Sequence, residues 1–286
     1  MKPIGIAANL EKPQVSHVVK DLLRFLKRKR ISFLLEDELA RERGEKGLLT
    51  EELARKSQFI VVLGGDGTVL RVARQVHPCR VPLLPVNLGK LGFLASCSPQ
   101  NLKEMLLLAC KGKARMVEHA TLDVDIDGGL GGAKKGMMAL NDAVISRGAI
   151  SRAVQLELRV DGAFLNSYFG DGVIFSTPTG STAYSLSAGG PIVMPGARVL
   201  VVTPICPHTL SGRPVVLGEK SVVETRIMSQ TEELYLGLDG QTTLSLKCDD
   251  RVRVTIGKHR MRMLVPPDAS FLELLRHKLH WTGSHI

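Results

Sequence analysis

Short apolar runs alternate with amphipathic segments in the first part of the chain. Residues 4–9 form a strand-like apolar run, and between residues 15 and 26 valines and leucines recur every three or four positions, as on one face of a helix. The alternation continues with predicted strands at residues 31–35, 59–63 and 83–86 and predicted helices at residues 50–56 and 69–76. A last helix is predicted with Ser98 as its N-cap and Gly112 just past its end. This pattern predicts a Rossmann-like α/β domain with a parallel sheet, over residues 1–114.

From residue 117 onward the apolar positions recur every second residue, which is typical of half-buried strands. The clearest runs with this period are residues 122–127, 154–160 and 251–256. Asp161-Gly162 and Asp239-Gly240 lie between such runs and have the composition of hairpin turns. We therefore expect an all-β, sandwich-like domain over residues 115–262.

The C-terminal segment, residues 263–286, is predicted to form a helix. Ser270 and Glu273 have the three-residue spacing of a capping box, and apolar residues at helical spacing accompany them. We expect this helix to pack back on the first domain.

The composition is that of a globular protein. The 286 residues are 44% hydrophobic and 23% charged, which provides a sizeable core and excludes disordered, collagen-like and coiled-coil proteins. No apolar stretch approaches the roughly 18 residues of a membrane-spanning helix, and the N-terminus does not resemble a signal peptide, so we expect a cytoplasmic protein. The five cysteines are scattered and never spaced as Cys-x-x-Cys, which argues against a disulfide framework and a structural zinc site.

The formal net charge is +10, from 38 Lys and Arg against 28 Asp and Glu, and it favours anionic partners. Nucleic acid, phosphorylated metabolites and acidic membranes all satisfy that condition. Aromatic residues make up only 4%, and the sequence has neither zinc-finger spacing nor an aromatic RNA-binding signature, so we expect no nucleic-acid partner. It also has no basic amphipathic helix with aromatic anchors, so we expect no membrane partner.

The most informative segment is Gly64-Gly65-Asp66-Gly67-Thr68, between a predicted strand and a predicted helix. Its glycines allow a tight turn and a close approach of backbone N–H groups to a phosphate, and the helix N-terminus adds partial positive charge. Asp66 would repel a phosphate unless a metal ion or a nucleophilic hydroxyl lies between them, which suggests chemistry as well as binding. The alternative is a structural turn with a helix-capping aspartate. Neither the Walker pattern nor the Gly-x-Gly-x-x-Gly fingerprint is present.

A second polar segment, residues 177–187, is rich in hydroxyl and glycine groups that can hydrogen-bond ribose and phosphate. Asn141 offers a donor and an acceptor to an adenine edge or a ribose diol, and Asp142 can accept a hydrogen bond from a sugar hydroxyl. The alternatives are that the polar segment is a hydrated loop and that Asn141-Asp142 only makes a turn.

Five segments together resemble, in order and spacing, the motifs of NAD kinases, over about residues 59–275. They are Gly64–Thr68, Asn87–Leu94, Asn141-Asp142, Gly170–Gly172 continuing into Ser176–Ser185, and Leu238–Gln241. The first motif has close relatives in diacylglycerol-type lipid kinases and phosphofructokinases, whereas Thr-Pro-Thr-Gly-Ser-Thr-Ala-Tyr is highly specific. The resemblance implies transfer of the γ-phosphoryl group of ATP to the 2′-hydroxyl of the adenine-side ribose of NAD, which gives NADP and ADP.

By the same resemblance, Asp66 acts at the ribose hydroxyl, while Gly64, Gly65 and the helix start at Thr68 hold the ATP phosphates. Mg²⁺ or another divalent cation accompanies ATP and is bound mainly by it, and the residues that contact the metal are left open. NAD kinases commonly form homo-oligomers through the β domain, so a dimer or tetramer is expected. The residues implied to line the NAD site are Gly67, Arg71, Asn141, Asp142, Arg152, Asp171, Thr182, Ala183, Tyr184, Ser185, Leu186, Ser187 and Gln241.

Two other functions stay open on the sequence alone. A lipid kinase of the diacylglycerol type would share the glycine-aspartate turn but would need an apolar membrane-docking surface. A non-catalytic binding module for nucleic acid or nucleotides would account for the net charge but would leave Asp66 without a purpose.

Overall fold

The computed structural model describes residues 2–89, 92–95, 97–128, 132–148, 152–230 and 233–281. The chain divides into two compact units. Unit 1 comprises Met1–Glu118 and Met261–Ile286, and unit 2 comprises His119–Arg260. The first boundary therefore lies after residue 118, whereas the predicted boundary lay after residue 114. The chain re-enters unit 1 at residue 261, whereas the predicted β domain ended at residue 262.

The elements follow one another along the chain as two sets. The strands are β1 (Ile4–Ala8), β2 (Phe33–Leu35), β3 (Ile60–Gly64), β4 (Leu83–Asn87), β5 (Arg115–His119), β6 (Leu122–Asp127), β7 (Lys134–Ala139), β8 (Asp142–Arg147), β9 (Val154–Val160), β10 (Ala163–Gly170), β11 (Gly172–Ser176), β12 (Val199–Ile205), β13 (Val215–Gly218), β14 (Val223–Ile227), β15 (Leu234–Leu238), β16 (Thr242–Leu246), β17 (Arg251–Ile256) and β18 (Met261–Val265). The helices are α1 (Val15–Lys29), α2 (Asp37–Glu42), α3 (Thr50–Lys56), α4 (Asp66–Val76), α5 (Leu102–Cys110), α6 (Tyr184–Ser187) and α7 (Phe271–Lys278).

Unit 1 is built on a sheet of order β2-β1-β3-β4-β18-β5. The pairs β2/β1, β1/β3, β3/β4 and β4/β18 are parallel. β1, β3 and β4 are buried along their whole length, as strands covered on both faces must be. α1 packs Val19, Leu22 and Leu26 into the same core. The predicted α/β domain with a parallel sheet is confirmed.

Two helices of unit 1 differ from the sequence-based expectation. α2 was not predicted, because it directly follows Glu36 and buries only two of its six residues, too few to show a helical period. α5 begins at Leu102 with Asn101 at its N-cap, and Ser98 is not the cap. The Asn101 N–H donates to the Ser98 carbonyl at 3.2 Å and closes a turn ahead of the helix.

The predicted C-terminal helix is present as α7, which belongs to unit 1. Ser270 Oγ accepts the backbone N–H of Glu273 at 3.4 Å, which is one half of the predicted capping box. At the first residue of α7, the Phe271 ring lies 6.4 Å from the Phe93 ring, between centroids. The helix therefore contacts the segment that follows β4.

Unit 2 contains two six-stranded sheets of order β10-β9-β14-β17-β6-β7 and β13-β12-β11-β8-β15-β16. β6 and β9 bury every second side chain, and the buried faces of both sheets contribute to one apolar core. Asp161-Gly162 joins β9 to β10, and Asp239-Gly240 lies between β15 and β16. Both aspartates have φ of 52°, a left-handed conformation typical of such tight turns. The predicted antiparallel β architecture and both turns are confirmed.

The described part of the chain has no helix that combines the length and apolar character needed to cross a membrane.

Candidate active site

The turn between β3 and α4 holds the glycine-aspartate motif of unit 1. β3 ends at Gly64, Gly65 is the N-cap, and α4 begins at Asp66. A Cβ at Gly64 would overlap the Thr68 side chain, so glycine lets the first turn of α4 pack against the end of the strand. Gly64 and Thr68 are buried, whereas open space surrounds the position of a Cβ at Gly65. The Gly65 backbone is therefore the approachable part of this helix N-terminus, where partial positive charge favours an anion.

The half-buried Asp66 carboxylate is held by backbone from the Asn87–Leu94 motif. Its Oδ2 accepts the N–H of Phe93 at 2.8 Å, and its Oδ1 accepts the N–H of Leu94 at 3.2 Å. These two donors were not predicted from the sequence, although both belong to the Asn87–Leu94 motif. Each carboxylate oxygen retains a lone pair for another donor, so Asp66 can still accept a hydrogen bond from a hydroxyl group.

Arg71 lies on α4 and forms a bidentate ion pair with Glu36. Its Nη1 and Nη2 donate to the two carboxylate oxygens at 2.6 and 3.1 Å. Glu36 is 3% exposed and also accepts hydrogen bonds from Thr50 Oγ1 at 2.7 Å and from the Ala8 N–H at 3.3 Å. The hydrogen bonds to Glu36 raise the pKa of Arg71 above its ordinary value. Arg71 thus ties α4 to β1 and α3, and its contact with NAD stays a prediction.

In unit 2, Asn141 and Asp142 stand at the start of β8 and are fixed by Asp239. The Asp239 carboxylate accepts the N–H groups of Leu140 at 2.8 Å, Asn141 at 2.7 Å and Asp142 at 3.1 Å. In return, the Asp239 N–H donates to the Asp142 carbonyl at 3.0 Å. From the sequence, Asp239 was placed in a hairpin turn and in the Leu238–Gln241 motif, but its contact with residues 140–142 was not predicted. Its carboxylate fixes the backbone of those three residues.

Asn141 and Asp142 have unusual surroundings: one has a buried oxygen without a hydrogen-bond partner among the described residues, and the other has a raised pKa. Asn141 Oδ1 is buried and has no hydrogen-bond partner among the described residues, a state that calls for a donor from outside. Burial, and secondarily the negative charge of Asp239, raises the pKa of Asp142 to about 7, although a hydrogen bond from the Tyr184 N–H acts in the opposite direction. Both protonation states of Asp142 are therefore populated near neutral pH.

The hydroxyl groups of residues 177–187 are mostly engaged in building the segment itself. Gly180 lies so close to Asn141 that a Cβ there would overlap the Asn141 carbonyl group, so the segment folds against residues 140–142. Tyr184 is 46% exposed and Ser187 is also exposed, which leaves these two side chains accessible. The engaged hydroxyls donate to or pair with neighbours: Thr177 with Leu140 O at 2.7 Å, Ser181 with Pro178 O at 2.6 Å, Thr182 with Thr179 O at 3.1 Å, and Ser185 with Thr203 Oγ1 at 2.9 Å.

Asp171, between β10 and β11, is paired with Arg147. Arg147 Nε donates to Asp171 Oδ1 at 2.6 Å, and this hydrogen bond lowers the pKa of Asp171. The glycine that follows has a structural reason, because Gly172 has φ of 155° and a Cβ there would overlap the Ile145 carbonyl. Arg147 was missed by the sequence analysis, and a single arginine at a strand end gives no signal of such a pair.

The remaining predicted site residues, Gly67, Arg152 and Gln241, are exposed. Gly67 lies in the first turn of α4, and Arg152 precedes β9. The Gln241 N–H donates to the Leu238 carbonyl at 3.0 Å, so Gln241 belongs to the same turn as Asp239. The structure thus connects Gln241 with Asn141 and Asp142 through one turn.

Comparison with known proteins identifies the family of the chain. Residues 4–114 match the ATP-NAD kinase N-terminal domain, and residues 140–265 match the ATP-NAD kinase C-terminal domain. An NAD kinase of Geobacter metallireducens is 42% identical over 281 residues, which cover 98% of this chain and 99% of the relative. An NAD kinase of Desulforamulus reducens is 40% identical over 281 residues, which cover 98% of this chain and 97% of the relative.

Two solved structures share the fold. Yeast NADH kinase, complexed with NADH, has a TM-score of 0.91 at 24% identity. The match covers 100% of this chain and 89% of the yeast chain. An NAD kinase from Archaeoglobus fulgidus, in complex with ATP, has a TM-score of 0.78 at 24% identity and covers 98% of this chain and 100% of its own. At this identity the two structures bear on the fold alone, whereas the family models and the Geobacter relative cover the sequence as well. The chain belongs to the ATP-NAD kinase family and is a kinase enzyme.

Proposed function

We propose that the chain transfers the γ-phosphoryl group of ATP to the 2′-hydroxyl of the adenosine ribose of NAD, which gives NADP and ADP. Membership of the ATP-NAD kinase family supports these substrates. The observation that carries the proposal is the Asp66 carboxylate at the first residue of α4, directly after the glycine turn, with one backbone N–H on each oxygen. A carboxylate held in this orientation can accept a proton from a substrate hydroxyl.

In the proposed step, the 2′-oxygen of NAD forms a bond to the γ-phosphorus. The bond from that phosphorus to the β,γ-bridging oxygen breaks, and its electron pair leaves with ADP. The hydroxyl proton passes to the Asp66 carboxylate. Because phosphoryl transfer has a loose transition state, deprotonation can lag behind bond cleavage, so a weak base is sufficient. Asp66 contributes by orienting the hydroxyl and accepting its proton late.

NAD is held, in this proposal, mainly by Asn141 and Asp142 of unit 2. The buried Asn141 Oδ1, which lacks a partner among the residues described, suits an amino or amide donor of the dinucleotide. Asp142 in its ionised form accepts a hydrogen bond from a ribose hydroxyl. The further proposed NAD contacts are Gly67, Arg71, Arg152, Asp171, Thr182, Ala183, Tyr184, Ser185, Leu186, Ser187 and Gln241.

The ATP phosphates are assigned to the N-terminus of α4. Gly64 and Thr68 shape this turn, and the Gly65 backbone faces open space. Mg²⁺ or another divalent cation arrives with ATP and neutralises phosphate charge. Within the described part of the chain, no group of three or more His, Cys, Asp or Glu side chains is arranged to hold a metal ion. The described residues thus show no metal site made of such side chains alone. The proton transfer above involves only Asp66.

A cytoplasmic homo-oligomer is the proposed working form. All five cysteines are free thiols, which suits a reducing compartment. The sheet edges of unit 2 expose apolar side chains, among them Phe164 at 59% and Val216 at 49%, and such side chains suit a protein interface. Light scattering coupled to size exclusion tests the assembly, and a monomer at micromolar concentration would contradict it.

The activity is tested by incubating the purified chain with ATP, Mg²⁺ and NAD and detecting NADP with an NADP-specific dehydrogenase. We expect one NADP for each ADP formed. Diacylglycerol in detergent micelles serves as the alternative acceptor, because the glycine-aspartate turn also occurs in lipid kinases, and no product is expected from it. Phosphorylation of diacylglycerol without phosphorylation of NAD would overturn the proposal. Parallel reactions with NADH and with polyphosphate identify the range of acceptors and donors.

A further inference from the structure

The two backbone donors to Asp66 fix the orientation of its carboxylate. Phe93 N–H binds Oδ2 and Leu94 N–H binds Oδ1, so each oxygen is engaged once and the plane of the carboxylate cannot rotate freely. Main-chain donors lack the rotamer freedom of side chains. The direction in which the remaining lone pairs point is therefore set by the position of residues 92–94.

Gly92 is the residue that permits this contact. A Cβ at position 92 would overlap the Asp66 carboxylate, closer than real Cβ atoms approach any atom. Glycine is needed here because the carboxylate lies directly against the main chain.

The segment that binds Asp66 is anchored from two sides. Leu94 is buried, with 4% of its surface exposed. The Phe93 ring contacts Phe271 at 6.4 Å between centroids, and Lys278 Nζ lies 5.7 Å from the centre of the same ring. Phe271 and Lys278 are the first and last residues of α7, so the C-terminal helix contacts Phe93 from both of its ends.

We propose that Gly92 and Phe271 are positioning residues for the reaction: Gly92 admits the Asp66 carboxylate to the backbone of residues 93 and 94, and Phe271 braces Phe93 so that both N–H groups stay in place. This inference rests on the proposed role of Asp66 as proton acceptor. Neither residue belongs to the proposed NAD or ATP contacts. Their loss should therefore reduce kcat while the KM for NAD stays nearly constant.

Four variants test the inference by steady-state kinetics with saturating ATP and Mg²⁺. Gly92→Ala displaces the carboxylate and should lower kcat about 100-fold, the scale expected for a misplacement of about 1 Å. Phe271→Ala should lower kcat about tenfold, whereas Phe271→Tyr retains the ring and should restore it. Leu272→Ala is the matched control, because Leu272 is the next residue of α7 and is 56% exposed. A Gly92→Ala enzyme that is folded and has wild-type kcat would overturn the proposal.

If Gly92→Ala does not fold, the variants Phe271→Ala and Phe271→Tyr still test the proposal. Equal kcat in Phe271→Ala and Phe271→Tyr would overturn the bracing role, and so would a rise in the KM for NAD without a change in kcat. If Phe271 acts only on stability, Phe271→Ala should have a lower melting temperature. Its kcat, measured at temperatures below the melting transition, should then equal that of wild type.

A second readout does not depend on activity. The amide ¹H–¹⁵N resonances of Phe93 and Leu94 should both shift in Asp66→Ala and in Phe271→Ala, and should stay in place in Leu272→Ala. If the wild-type chain makes no NADP, the proposed function fails, while these resonances still report whether the contact exists. If the wild type is active and the two resonances have the same chemical shifts in Asp66→Ala as in wild type, only the positioning inference fails.

Discussion

Asp239 Oδ1 lies 2.7 Å from the backbone nitrogen of Asn141 and accepts its N–H. The same carboxylate also accepts the N–H groups of the residues on either side of Asn141. Asp239 is 8% exposed, so this carboxylate and its donors are largely removed from water. One buried side chain thus holds the backbone that presents the proposed NAD ligands Asn141 and Asp142.

Asp239→Asn should destabilise unit 2 and weaken NAD binding. Asparagine replaces one of the two acceptor oxygens with an NH2 donor, so the Leu140 N–H loses its 2.8 Å bond to Oδ2 and keeps only the longer one, 3.1 Å, to Oδ1. The loss costs about 1–3 kcal/mol of the free energy of unfolding. The KM for NAD should rise about tenfold because Asn141 and Asp142 shift. Asparagine tolerates the left-handed φ of 52° as well as aspartate does, so backbone strain does not contribute.

Asp161→Asn is the matched control for this substitution. Asp161 occupies the equivalent position of an Asp-Gly turn with the same φ, but it is exposed and its carboxylate accepts one N–H, from Val222 at 2.8 Å. Urea denaturation should show a change below about 0.5 kcal/mol for this variant. Equal losses of stability in the two variants would contradict the role assigned to Asp239.

Asp142 should make NAD binding depend on pH near neutrality. Its pKa is raised to about 7 by burial and by Asp239, and the proposed contact with a ribose hydroxyl requires the ionised form. The KM for NAD should therefore fall as the pH rises from about 6 to about 8. Asp142→Asn should abolish this dependence, and a wild-type KM that is flat or rises over that range would contradict the assignment.

The same shift has an opposite sign for stability. A carboxyl group whose pKa is raised on folding binds its proton more tightly in the folded state, between its ordinary value of 3.8 and about 7. The contribution of Asp142 to the free energy of unfolding should thus decrease as the pH rises through that window. Urea denaturation of wild type and Asp142→Asn at pH 5 and pH 7.5 measures the difference, and a larger advantage of the wild type at pH 7.5 would contradict this sign.

Arg71→Ala should act first on stability, because its partner Glu36 is buried. Removing one member of a buried ion pair leaves the other charge uncompensated, which costs about 3 kcal/mol. The Arg71 side chain is 27% exposed and that of Glu36 is 4% exposed, so solvent screens the pair little. Adding Glu36→Gln to Arg71→Ala should recover part of the loss, since the amide carries no charge.

Arg55→Ala provides the control for arginine removal, because Arg55 is an exposed residue of α3. Its unfolding free energy should stay within about 0.5 kcal/mol of wild type. An Arg71→Ala variant as stable as Arg55→Ala would contradict the stabilising role assigned to the Arg71–Glu36 pair. A strong rise in its KM for NAD would then support only the proposed NAD contact.

Local patterns were sufficient for much of the fold. The strand and helix alternation and the Asp161-Gly162 turn were predictable because their signals lie within a few neighbouring residues. α2 has no such signal, since it buries only two residues. The position of β18 between β4 and β5 was not predictable, because pairing between strands far apart in the chain leaves no local trace.

Candidate site residues could be named from the sequence, but their hydrogen-bond partners could not. Asp66 and Asn141 stand in recognisable motifs, yet their partners lie far along the chain: Leu94 is 28 residues from Asp66, and Asp239 is 98 residues from Asn141. The two Asp-Gly turns show the limit most clearly. One sequence signal predicts both turns, and only the fold distinguishes exposed Asp161, whose carboxylate accepts the N–H of Val222, from buried Asp239, whose carboxylate accepts the N–H groups of three residues.

The central claim is that the Asp66 carboxylate receives the proton of the NAD ribose hydroxyl, and Asp66→Asn tests it most directly. Asparagine removes the charge and turns one oxygen into a donor that faces a backbone N–H. Quenched-flow measurement of NADP formation should give a kcat about 10²- to 10⁴-fold below wild type, with a KM for NAD changed less than about threefold. An Asp66→Asn enzyme with near-normal kcat would contradict the account.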